Sequence, residues 1–173
     1  MNMKQGKIIF ITGGARSGKS SYALKLASSY VNKAYIATAQ ITDEEMKLRI
    51  EKHKAERDES YKTVEEPLDL SGALAGTKDI FDVTIIDCLT LWLSNLFLRE
   101  EKERSDYIND YLKALRNFSA SLIIISNELG MGIVPEHKLS RDFRDEMGLV
   151  NQKTAQIAHE AYFMVSGMPV KTK

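Results

Sequence analysis

Residues Lys7 to Ser20 read Lys-Ile-Ile-Phe-Ile-Thr-Gly-Gly-Ala-Arg-Ser-Gly-Lys-Ser, an apolar run that breaks into a glycine- and serine-rich turn. The run Lys7–Thr12 has the length and the β-branched content of a buried strand. The turn Gly13–Ser20 matches G-x-x-x-x-G-K-[ST] in full. A helical pattern, Ser17–Tyr30, follows it. Strand, loop and helix in this order gather backbone N–H groups around an anion. The glycines let the chain curl, and the helix N-terminus adds a partial positive charge. The spacing therefore assigns Gly13, Gly14, Ala15, Arg16, Ser17, Gly18, Lys19 and Ser20 to the phosphates of a nucleoside triphosphate. Lys19 is expected on the β and γ phosphates, as a catalytic charge, and Ser20 on Mg²⁺. A chance match in a Gly/Ser-rich turn competes with this reading, but the flanking strand and helix argue against it. Arg16 reads equally as a phosphate contact or as a solvated arginine.

Outward from the loop, short apolar runs alternate with longer amphipathic stretches. Strands are expected at Ala34–Ala37, Thr63–Glu65, Val83–Ile86, Leu122–Ser126, Ala161–Val165 and Pro169–Lys171. The last two form a pair around Gly167. Helices are expected at Thr42–Arg57, near Leu68–Ala75, at Leu89–Leu98, Asp106–Phe118, Lys138–Met147 and Leu149–Glu160. Thr42 with Glu45 three residues on has the spacing of a capping box. The alternation implies an α/β sandwich on a mainly parallel sheet; with the phosphate loop at its first strand, the expected class is a P-loop NTPase of the RecA-like kind, a three-layer sandwich. Ligands in such folds gather at the carboxyl ends of the strands. Asp87 ends the continuous apolar run Val83–Ile86 and is the candidate carboxylate for nucleotide-bound Mg²⁺; the alternative is a capping aspartate at a strand–helix turn.

The chain has 173 residues, is 43% hydrophobic and 28% charged, and points to a single domain over 1–173. At this size folding buries roughly two-thirds of the surface without staples. Lys plus Arg and Asp plus Glu each number 24, so no basic excess argues for a nucleic-acid partner. A single cysteine, Cys88, excludes an internal disulfide and a multi-cysteine zinc site; it reads as a buried structural thiol. The apolar run Ile8–Ile11 is far too short for a membrane span. These features predict a soluble, cytoplasmic protein.

Several further stretches sharpen the reading. They are Tyr35-Ile36-Ala37-Thr38, Arg49-Ile50 with His53-Lys54, Glu65-Glu66-Pro67-Leu68 and Asp87-Cys88-Leu89-Thr90. The unusual run Ser126-Asn127-Glu128-Leu129-Gly130-Met131-Gly132-Ile133-Val134-Pro135 follows, then Arg141-Asp142-Phe143-Arg144-Asp145, Gly148–Gln152 and Val165-Ser166-Gly167. With the loop Gly13–Ser20 they cover nearly the whole chain. In them the sequence resembles the bifunctional adenosylcobinamide kinase and adenosylcobinamide-phosphate guanylyltransferase family of cobalamin biosynthesis. The resemblance implies two reactions. ATP or GTP phosphorylates the aminopropanol hydroxyl of adenosylcobinamide. GMP from GTP then passes through a histidine, which falls on His53, to give adenosylcobinamide-GDP. The resemblance also places Lys62 and Glu65 as nucleotide contacts, against the alternative of an exposed strand pair, and implies a homotrimer with the site near a subunit boundary.

The chemistry of His53 can be argued without the family. A neutral imidazole is a good nucleophile near its unperturbed pKa of about 6.5. Its attack on an α-phosphorus gives a phosphoramidate that is still reactive toward a second phosphate. On one helix, Arg49, His53 and Arg57 would line one face at i, i+4 and i+8, a cationic stripe suited to phosphates. The bland alternative is a solvated histidine on a charged helix. His137 and His159 lack this motif support and read as surface or packing residues. Asn127 and Glu128 follow a strand end, where they serve either the ligand or a subunit contact. Two other functions remain open: a small-molecule kinase with His53 idle, and an NTP-dependent switch. The absence of an Asn-Lys-x-Asp element weighs against the switch.

Overall fold

The structure, a computed structural model, describes residues 6–55 and 57–173; the side chain of Arg49 also lies outside the described residues. Strands β1 (Ile8–Gly13), β2 (Lys33–Ala37), β3 (Tyr61–Glu65), β4 (Val83–Asp87), β5 (Ser121–Ile125), β6 (Glu160–Val165) and β7 (Met168–Lys171) form one sheet in the order β3-β2-β4-β5-β1-β6-β7. Every pairing is parallel except the β6–β7 hairpin. The helices are α1 (Lys19–Ala27), α2 (Glu44–Ala55), α3 (Leu70–Thr77), α4 (Leu89–Leu96), α5 (Glu101–Arg116) and α6 (Lys138–Ile157).

Strand alternation explains the two cores. Ile36, Ile86, Ile124 and Phe10 stand side by side in register across β2, β4, β5 and β1. They bury against α3, α4, α5 and α6, where Trp92 and Tyr111 meet with ring centroids 5.1 Å apart. The Trp92 indole donates to Leu68 O at 2.7 Å, so the largest core side chain carries no unmet donor. The next row, Tyr35, Ile85 and Ile123, faces the other way, toward α1, whose Ala23 and Ala27 pack into that second core. With both faces covered, the central strands are continuous apolar runs, as the sequence led one to expect. Asp87, two residues after Ile85, comes out on the α1 face at the carboxyl end of the sheet.

Three sequence expectations are corrected. Helix α2 is capped by Asp43, whose carboxylate accepts from Met46 N at 2.7 Å; Thr42 only turns its hydroxyl onto that carboxylate. A carboxylate adjacent to the first turn satisfies an orphan amide and complements the helix dipole, so it displaces the threonine one residue earlier. The two helices expected on either side of Gly148 are one helix, α6. Met147, Val150, Asn151 and Thr154 form a continuous buried stripe across the glycine. Burial of that stripe outweighs the roughly 1 kcal/mol that a mid-helix glycine costs relative to alanine. Helix α5 begins at Glu101, a turn before the expected Asp106. No described helix is long and apolar enough to cross a membrane.

Candidate nucleotide site

β1 runs into the loop at Gly13, and α1 leaves it at Lys19. Two glycines are required by close approach. A Cβ on Gly13 would stand 2.7 Å from Met164 O, and Gly18 holds φ 92° with Gly167 Cα 3.1 Å from where its Cβ would be. Both contacts come from the β6–β7 hairpin, whose Gly167 N also donates to Ser17 O at 3.0 Å. The loop is thus braced from outside. Inside it, Lys19 is 8% exposed and its ammonium donates to Gly14 O at 2.6 Å and Gly13 O at 3.2 Å.

Opposite the loop stands Asp87. Its Oδ2 accepts from Ser20 Oγ at 2.8 Å and from the Tyr35 hydroxyl at 2.6 Å. A hydroxyl and a carboxylate beside a buried ammonium form a hard-oxygen donor pair at the strand ends. Among the described residues, no cluster of three or more His, Cys, Asp or Glu forms a closed metal cage. The turn after Asp87 is clamped by Thr38, whose hydroxyl donates to Cys88 O and accepts from Cys88 N, both at 2.8 Å. Asn95 Nδ2 in turn donates to Thr38 O at 2.8 Å. Burial pushes the Cys88 thiol up to about 11, which leaves it protonated and inert at neutral pH.

The loop and α2 enclose a cavity of about 690 Å³, in the range of small-ligand sites. Residues Ala15–Ser21, Tyr35, Asp87 and Asn127 line one side; Glu45, Met46, Ile50, Lys52, His53 and Lys54 of α2, with Arg57 beyond its end, line the other. Met46, Ile50 and His53 are the half-buried positions of α2 among those described, and the spacing i, i+4, i+7 sets them on one face. Helical geometry thus turns His53 toward the cavity that Lys19 also lines.

The remaining expected site residues fall as follows. Glu65 is exposed and pairs with Lys54 at 2.7 Å, so it meets the cavity wall through that lysine. Lys62 is exposed on β3, next to Val64 in the alternation and away from the lining residues. Of the expected Arg49–His53–Arg57 stripe, the Arg49 side chain lies outside the described residues, and Arg57 falls beyond α2. α2 ends at Ala55, and the Arg57 guanidinium lies 4.0 Å from the centroid of the Tyr35 ring. Of the other histidines, His159 Nδ1 accepts from Ile8 N at 3.0 Å and so serves the sheet, and His137 precedes α6 without a capping bond. Asn127 is held by its backbone, its N–H on Thr90 Oγ1 at 2.8 Å and its carbonyl accepting from Asn151 Nδ2 at 3.0 Å. Sequence reasoning passed over Tyr35. The signal was a tyrosine inside a buried strand on the same side as Asp87, which only the β2–β4 register makes visible.

A braced glycine loop with a buried lysine, between a parallel strand and a helix and opposite a strand-end carboxylate, defines a P-loop nucleotide-binding protein. The family model described as cobinamide kinase / cobinamide phosphate guanyltransferase matches residues 9–172, and the chain belongs to that family. The bifunctional adenosylcobalamin biosynthesis protein CobP of Pseudomonas aeruginosa is 42% identical over 165 residues, which cover 94% of this chain and 95% of the relative. The bifunctional adenosylcobalamin biosynthesis protein CobU of Escherichia coli is 38% identical over 180 residues, covering 96% and 99%. Among solved structures, an ATPase from the type III secretion system of pathogenic bacteria aligns with a TM-score of 0.61 at 11% identity, over 93% of this chain and 51% of its own. At that identity the likeness speaks for the RecA-like α/β fold alone.

Proposed function

We propose that this chain phosphorylates the aminopropanol hydroxyl of adenosylcobinamide with ATP or GTP, and then transfers GMP from GTP through His53 to give adenosylcobinamide-GDP. One observation carries the proposal: in a member of this family, His53 and the phosphate loop line the same cavity. In the transfer, an imidazole nitrogen attacks the α-phosphorus of GTP. The bond from that phosphorus to the bridging oxygen breaks, and pyrophosphate leaves with the electron pair. The terminal phosphate oxygen of adenosylcobinamide phosphate then attacks the same phosphorus, and the P–N bond returns its electrons to the imidazole.

Lys19 stabilises charge on the phosphates, and the amides of the first turn of α1 add to it. Ser20 and Asp87 are the residues that would hold Mg²⁺, and the ion would supply charge neutralisation and alignment of the triphosphate. One domain and one cavity serve both reactions. The enzyme works in the cytoplasm as a homotrimer, and exposed Met131, Val134 and Ile133, the last 97% exposed, supply apolar surface for a subunit contact.

Incubation with GTP labelled at the α-phosphate tests the central step. Wild type is expected to gain acid-labile, base-stable label, and adenosylcobinamide phosphate to remove it. His53→Ala is expected to gain none while still binding GTP. Label that persists on His53→Ala rejects the nucleophile, and an unlabelled wild type with intact kinase turnover leaves a kinase alone.

A further inference from the structure

We infer that Tyr35 is a positioning residue for the Asp87 carboxylate, and that Arg57 on the Tyr35 ring ties that carboxylate to the helix bearing His53. The parallel register sets Tyr35 beside Ile85, one side-chain step before Asp87 on the same face, so the long phenol reaches forward to the carboxylate. Tyr35 is 4% exposed. Its ring is gripped on its face by Arg57 and edge-on by Tyr61, with centroids 6.4 Å apart. The buried ring aims its hydroxyl at one carboxylate oxygen, donating to Asp87 Oδ2 at 2.6 Å.

Ser20 and Tyr35 share one oxygen, Oδ2. A serine that turns to a metal–nucleotide gives up that bond, whereas Tyr35 stays a donor and keeps the carboxylate from rotating. Arg57 lies two residues past the end of α2, with its N–H on Lys54 O at 3.2 Å. A shift of Tyr35 or Asp87 therefore reaches the segment that carries His53 through one stacked cation. This inference rests on the reading that Asp87 serves the metal–nucleotide.

The test uses the full chain and two readouts other than turnover. The first is the free-Mg²⁺ midpoint for binding of a fluorescent GTP analogue; the second is hydrogen exchange of α2 with and without Mg²⁺ and GTP. Tyr35→Phe keeps the ring and the Arg57 stack. It is expected to raise the midpoint about tenfold, the scale of one hydrogen bond to a charged group, without weakening metal-free binding. Arg57→Ala, which removes the stacked cation from the cavity wall, is expected to leave α2 no better protected when Mg²⁺ and GTP are added. A Tyr35→Phe midpoint equal to wild type, beside an Asp87→Asn midpoint that has risen, overturns the role of Tyr35 while the metal reading stands. An Asp87→Asn midpoint equal to wild type removes the metal reading and this inference with it. Undiminished α2 protection in Arg57→Ala overturns the link to His53, and that arm remains decisive should Tyr35→Phe fold poorly.

Discussion

The two walls of the cavity are built on opposite principles. The loop wall is set by backbone: glycines that admit no Cβ, a hairpin pressed on its outer side, and a helix whose Lys19, Ala23 and Ala27 are buried. The α2 wall is set by charge. Among its described residues none is buried, Glu44 and Glu45 fall in its first turn, and Lys52, His53 and Lys54 in its last. A wall that binds triphosphate needs fixed amides, because preorganised dipoles lose nothing to reorientation when charge arrives. If, as proposed, the α2 wall accepts a nucleotidyl group from one partner and hands it to another, it gains from weak docking, since low local stability lets it move between the two. The difference between the walls follows from where the apolar surface is spent in folding.

The contrast can be broken at three points. Lys19→Ala strips the loop wall of its buried cation. Both phosphoryl transfer and guanylylation of the protein are expected to fall about a hundredfold or more, the scale of losing a preorganised charge contact. Single-turnover assays of each step check this, and a normal rate in either step would show that the two reactions use different walls. Native-state hydrogen exchange compares the walls directly: α2 amides are expected to exchange at least about a hundredfold faster than those of α1 and β1, as sub-global opening predicts. Equal protection would mean that α2 is docked as firmly as the core. The smallest effect belongs to Asp43→Ala. Loss of the cap is expected to cost α2 about 1 kcal/mol of local helix stability, seen as faster α2 exchange with little change in the global melting temperature. A matching drop in global stability would join α2 to the cooperative core.

What the sequence revealed follows the same divide. Strand, loop and α1 were legible because their signal is local: an apolar run, glycines and a lysine at fixed spacing within fourteen consecutive residues from Lys7 to Ser20. The α2 start was misplaced by one residue because Thr42 and Asp43 are both competent caps, and only coordinates choose between them. The split at Gly148 was misread because the buried stripe 147–150–151–154 is a tertiary fact. His53 was named through the family pattern, and its half-buried neighbours Met46 and Ile50 show why it turns inward. The Tyr35–Asp87 bond was not legible at all. It depends on two strands, fifty residues apart in sequence, pairing in one particular register.

The hairpin brace has a consequence for how the protein is made. Met164 and Gly167, which shape the loop at Gly13 and Gly18, lie far downstream of the loop in the sequence. A ribosome that has released the loop has not yet built its outer support. Competence for triphosphate must therefore wait until β6 has been made and pairs with β1. A partly made chain carries the signature sequence without the shape that gives it meaning.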